Sequence, residues 1–133
     1  MQNYKYNSIR VQRLANAPVD VAALALPSYG SLDLDRLKLL GEELDDFAES
    51  GRPARRSIVL DLGRKKPLGS GFLSVIERLR EAASSSGQAL IVAGDDGGLL
   101  AAAGWRRRIP YFADLADALN AAVACRPLVN SAN

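Results

Sequence analysis

Apolar residues recur along this chain with two spacings. From Ser8 to Leu14 they alternate, Ile9 and Val11 facing one way and Arg10 and Gln12 the other, which predicts a half-buried outer strand. A turn at Asn16-Ala17-Pro18 leads to a second strand, Val19 to Leu26, hairpin-paired with the first and ended by Pro27. After the loop Ser28-Tyr29-Gly30, Ser31 or Asp33 is placed to cap a helix whose Leu34, Leu37, Leu40, Leu44 and Phe47 form one stripe; Gly51 and Pro53 stop it. The run Ser57 to Leu62 is short, β-branched and almost wholly apolar, as in a central strand covered on both faces, with Asp61 marking its C-terminal end. Phe72, Ile76, Leu79 and Ala83 then return at helical spacing, opposite Glu77, Arg78, Arg80 and Glu81.

The connector Ser84-Ser85-Ser86-Gly87 precedes a second buried strand, Gln88 to Ala93, expected parallel to the first through a right-handed βαβ unit. Gly94 to Gly98 leads to a short helix, Leu99 to Ala103, closed by Gly104. Ile109-Pro110-Tyr111-Phe112 reads as an edge strand because of its proline. Asp114 caps a final helix with Leu115, Leu119, Ala122 and Val123 inward, and residues 125–133 read as a loose tail. The fold class is α/β: one domain over residues 8–124 behind a polar extension at 1–7, with a small mixed sheet against about four helices.

Composition narrows the chemistry. The 133 residues and 48% hydrophobic content suit one globular domain, and 17 basic against 15 acidic residues give a net charge of +2, with no global pull toward nucleic acid or membrane. With one cysteine and no histidine, an internal disulfide, a Cys/His zinc set and a histidine base are all excluded. Residues 1–7 lack the apolar core of a signal peptide, and no apolar run approaches the ~20 residues of a membrane span, so a cytoplasmic location is expected.

The candidate chemistry gathers where the central strand passes through Gly63-Arg64-Lys65-Lys66-Pro67 into Leu68-Gly69-Ser70-Gly71 and the helix. Ser70 is the natural N-cap, and the free N–H groups and partial positive charge of the helix start suit a phosphate. The spacing is not that of a P-loop, which needs a second glycine followed by lysine and Ser or Thr. Asp95 and Asp96 would repel an anion and serve as helix caps, or less readily as metal ligands. The basic clusters are Arg64-Lys65-Lys66 and Arg106-Arg107-Arg108, which would form one patch if the fold brought them together and are otherwise solvated loop charge. Asp35, Glu42, Glu43, Asp45, Asp46 and Glu49 form an acidic helix face, solvated or available for docking, and Trp105 is a packing residue or, if exposed, an interface anchor.

An apolar strand ending in Asp61-Leu62, a short loop, and Leu68-Gly69-Ser70-Gly71 opening a helix resembles the STAS domain of anti-sigma factor antagonists, where the corresponding motif is Asp-Ser-Ser-Gly. The resemblance extends from Ile9 to about Val123 through element order, including Ala103-Gly104-Trp105 before the last strand and the Ala/Leu-rich last helix. It implies a partner that is both a serine kinase and an anti-sigma factor, which phosphorylates the first serine of the motif. That acceptor position is Gly69 here and the acidic position is Leu68, so Ser70 is the remaining phosphorylation candidate and classical phospho-control is altered or lost.

The reading is a non-enzymatic protein-interaction module for signal transduction and transcription regulation, docking through Leu68, Gly69, Ser70, Gly71 and Phe72 with Arg64, Lys65 and Lys66 beside them. No catalytic residue, metal or cofactor is assigned, and neither nucleic acid nor membrane is an expected partner. The alternative is a small-ligand or nucleotide-binding regulatory module using the same helix N-terminus.

Overall fold

The computed structural model describes residues 6–25, 34–63, 70–94 and 109–124. Five strands run in chain order across one mixed sheet: β1 (Ile9–Arg13), β2 (Val19–Leu24), β3 (Ser57–Asp61), β4 (Leu90–Ala93) and β5 (Tyr111–Phe112). β1 pairs antiparallel with β2, Ile9 opposite Leu24, and the other pairs are parallel, Val21 beside Val59 and Leu60 beside Val92. The hairpin, the central β3 and the edge positions of β1 and β5 agree with the sequence pattern.

Three helices belong to the described residues: α1 (Leu34–Gly51), α2 (Ser70–Ser85) and α3 (Leu115–Ala124). This is fewer than the four or so expected, and the short helix expected at Leu99 to Ala103 lies outside the described residues. α1 and α2 pack on one face of the sheet, where Leu40, Leu44 and Phe47 meet Phe72, Ile76 and Leu79 over Ile58, Leu60 and Val92. α3 covers the other face, over Val19, Val21, Val59 and Ile91. β3 and β4 thus bury side chains on both faces, the physical reason for their unbroken apolar runs.

The structure corrects several local expectations. Val123 is 41% exposed, whereas Ala118 is fully buried. The inward stripe is Leu115, Ala118, Leu119 and Ala122, and its alanines let this short helix lie close to the sheet. Gln88 precedes β4 rather than opening it; buried, it donates through Nε2 to the carbonyls of Ala48 and Arg56, tying the end of α1 to the start of β3.

The acidic face of α1 is only partly solvated. Glu43 is buried and accepts the backbone N–H groups of Asn7 and Ser8 at 3.0 and 2.8 Å. Tyr6 donates its hydroxyl to Asp46 at 2.6 Å, Arg78 of α2 pairs with Asp45, and Arg52 pairs with Glu49. These carboxylates fasten α1 to the chain before β1, to α2 and to its own C-terminal turn. The segment just before β1, read as part of a polar extension, is attached to α1 through Tyr6 and Asn7.

Candidate functional site

The parallel strands end on one edge of the sheet. β2 ends at Leu24, β3 at Asp61 and β4 at Ala93, and the same edge receives the starts of α1 at Leu34 and α2 at Ser70. In open α/β sheets this is the edge on which loops are free to carry a binding surface while the strands hold them in place.

At β3 the ladder runs one residue past the strand, Leu62 N–H donating to the Ala93 carbonyl at 2.8 Å. The chain then turns off the sheet. Asp61 Oδ1 accepts the Gly63 N–H at 3.0 Å, and Gly63 takes the left-handed conformation with φ of 63°, which a side chain would strain. Gly94 does the same at the end of β4, with φ of 80°, its N–H donating to the Phe112 carbonyl.

Of the eight residues expected to form the docking surface, Arg64, Lys65, Lys66, Leu68 and Gly69 lie outside the described residues. Ser70, Gly71 and Phe72 form the first turn of α2. α2 opens at Ser70, and the capping contact expected of its side chain lies outside what the described residues show. Phe72 is 1% exposed and belongs to the core, so its side chain anchors the turn from beneath and offers no surface to a partner. Helical periodicity had already placed it in the inward stripe. Gly71 lies against α1: a Cβ built on it would stand 2.7 Å from Leu37 Cδ1, closer than side-chain carbons approach. The next outward-facing positions along α2 are Ser74 and Arg78.

The two basic runs lie outside the described residues, and the described residues beside them, Gly63 and Ile109, stand at different ends of the sheet. Gly63, after which Arg64 begins, stands beyond the end of β3. Ile109, which follows Arg108, lies two residues before Tyr111, the partner of Val92, and so stands level with Leu90 and Ile58. Those levels differ by five residues of strand, roughly 17 Å. The anchors therefore do not place the two runs in one patch.

A third arginine group was missed because Pro53 interrupts it. Arg52, Arg55 and Arg56 occupy the turn after α1, at the opposite edge from α2's start. Arg52 is paired with Glu49 and Arg56 with buried Asp20, while Arg55 holds a left-handed φ of 51°. The group's main work is structural.

A groove of about 400 Å3 separates the later turns of α1 and α2, lined by Asp45, Ala48, Glu49, Arg78, Glu81 and Ser85 among others. Asp45 and Arg78 pair across it, and the Ser85 and Ser86 hydroxyls donate back to α2 carbonyls. Further round α2, the Glu77 carboxylate bonded to Arg80 at 2.6 Å raises that guanidinium's pKa above its ordinary value, keeping the pair ionic. Among the described residues no group of three or more potential metal ligands comes together, and no helix is long and apolar enough to cross a membrane. Asp95, Asp96 and Trp105 lie outside the described residues.

The architecture is shared with a solved Thermotoga maritima protein provisionally described as an anti-sigma factor antagonist. The two superpose with a TM-score of 0.68 over 86% of this chain and 93% of the other, at 16% sequence identity. At that identity the likeness is one of fold. No protein-family model matches the sequence, and no curated protein matches it.

Proposed function

We propose that this chain is a non-enzymatic protein-interaction module of the anti-sigma factor antagonist type, acting in signal transduction and transcription regulation in the cytoplasm. The observation that carries the reading is architectural: a STAS-like sheet and helix order, shared with the Thermotoga protein, in which α2 begins at the C-terminal edge directly after the central strand. The docking surface is the loop and helix start at Leu68 to Phe72, flanked by Arg64, Lys65 and Lys66. Phe72 supports it from the core, and Ser74, just beyond it, is exposed. The partner is an anti-sigma factor with serine kinase activity, and Gly69 at the acceptor position leaves the complex without the usual phosphate switch.

Affinity capture with the intact chain, run in parallel with Ser70→Glu, tests the docking reading. A carboxylate in the first turn suits the helix dipole, so the variant should fold, while adding the negative charge that phosphorylation would bring to the contact. The expected result is capture of an ATP-binding kinase-type protein by the parent and its loss with the variant, at unchanged melting temperature. Capture of the same proteins by both baits would overturn the assignment of the docking surface.

A further inference from the structure

We propose that Leu37 of α1 is a positioning residue for the first turn of α2, and that glycine occupies position 71 to let it act there. The inference rests on the docking reading for its functional meaning, though not for its geometry. Gly71 is the second residue of α2, where alanine would favour the helix by ~1 kcal/mol if nothing opposed it. What opposes it is the Leu37 methyl, 2.7 Å from where a Cβ would stand. Leu37 is half-buried and packs against the same core as Phe72 and Ile76, so the side chain lies between the two helix starts.

Both helices begin at this corner, α1 at Leu34 and α2 at Ser70. One residue further into α2, Phe72 fixes the turn from the sheet side. Leu37 and Phe72 thus contact the first turn of α2 from two directions. A docking turn held this way presents a preformed surface, and a partner does not have to order it on binding. A side chain at 71 displaces Leu37, whose end is free to rotate, so the variant still folds while the support of the turn is lost.

Amide hydrogen exchange on the intact chain reads this without any partner. In an α-helix the Ser74 and Val75 amides bond back to the carbonyls of Ser70 and Gly71. In Leu37→Ala and in Gly71→Ala their exchange should rise roughly tenfold relative to β3 core amides, which report global opening. Leu37→Met, which refills the space, should restore parental exchange. The double variant Leu37→Ala/Gly71→Ala should fall back toward the parent, because the new methyl stands near the place Leu37 Cδ1 vacates. Exchange unchanged in both single variants, or single effects that simply add in the double, would overturn the role of Leu37. Failure of partner capture with a normal exchange pattern would instead count against the docking reading alone.

Discussion

Buried Asp20 and partly buried Arg56 form an ion pair at the N-terminal edge of the sheet, Arg56 Nε donating to Asp20 Oδ1 at 2.7 Å. Asp20 is 1% exposed, and the same oxygen accepts Arg13 Nε at 3.0 Å. Arg56 Nη2 donates to the carbonyls of Leu14, Ala17 and Val19, closing the β1–β2 turn against the start of β3. This end of the molecule is held by a polar network.

Removing the carboxylate leaves the partly buried Arg56 guanidinium without its counter-ion, so Asp20→Ala should cost about 1–3 kcal/mol. The measurement is the denaturant midpoint at constant slope. A loss under about 1 kcal/mol would show that water reaches the pair.

Gly51 is required by the same network. A Cβ there would stand 2.8 Å from Asp20 Oδ2, a group held in place by its two arginines. Gly51→Ala should therefore destabilise by about 1–3 kcal/mol despite alanine's better helix propensity. At Gly71, by contrast, the obstructing atom is the end of a leucine, and the global cost of Gly71→Ala should be smaller. Thermal melts of the two variants side by side give the comparison.

The core between α1, α2 and the sheet contains Leu60, Ile76 and Val92, with Ile76 fully buried. Ile76→Ala should lose ~2–5 kcal/mol through the cavity it leaves. A loss below about half a kcal/mol would be that of a surface site.

Glu43 holds the backbone of Asn7 and Ser8. Glu43→Ala leaves two N–H groups without their acceptor and should cost about 1–3 kcal/mol, with faster proteolysis ahead of β1 than in the parent. Equal cleavage rates in the two proteins would show that other contacts hold that segment.

Regulation follows from Gly69, which has no hydroxyl to phosphorylate. An anti-sigma serine kinase should label the parent poorly and Gly69→Ser on the new serine, as read by phosphosite mapping alongside Ser70→Ala. Efficient labelling of Ser70 in the parent would show that phospho-control survives one residue later.

Much of this molecule was legible in its sequence because the forces that set its elements act locally. Apolar spacing alone placed β1 to β4, α1 and α2 near their observed bounds, put β3 at the centre, and identified Phe72, Ile76, Leu79 and Ala83 as one inward stripe. The loop that begins at Gly63 was placed by its composition, whereas the left-handed backbone there was supplied by the structure.

What tertiary structure decided was the fate of groups whose partners are distant in the chain. Arg56 lies 36 residues from Asp20, and Glu43 lies 35 residues from Ser8. Asp20 and Glu43 are buried whereas Asp35 and Glu42 are exposed; Glu43 stands three residues after Leu40 and four before Phe47, on the flank of the inward stripe, but spacing does not name the donors it meets. A carboxylate is buried only where the fold brings donors to it, since desolvation otherwise disfavours it. The same holds for the candidate site. Its motif could be located in the sequence, but that Gly71 rests on Leu37, and that Gly63 and Ile109 beside the two basic runs stand at opposite ends of the sheet, follows from packing and strand register.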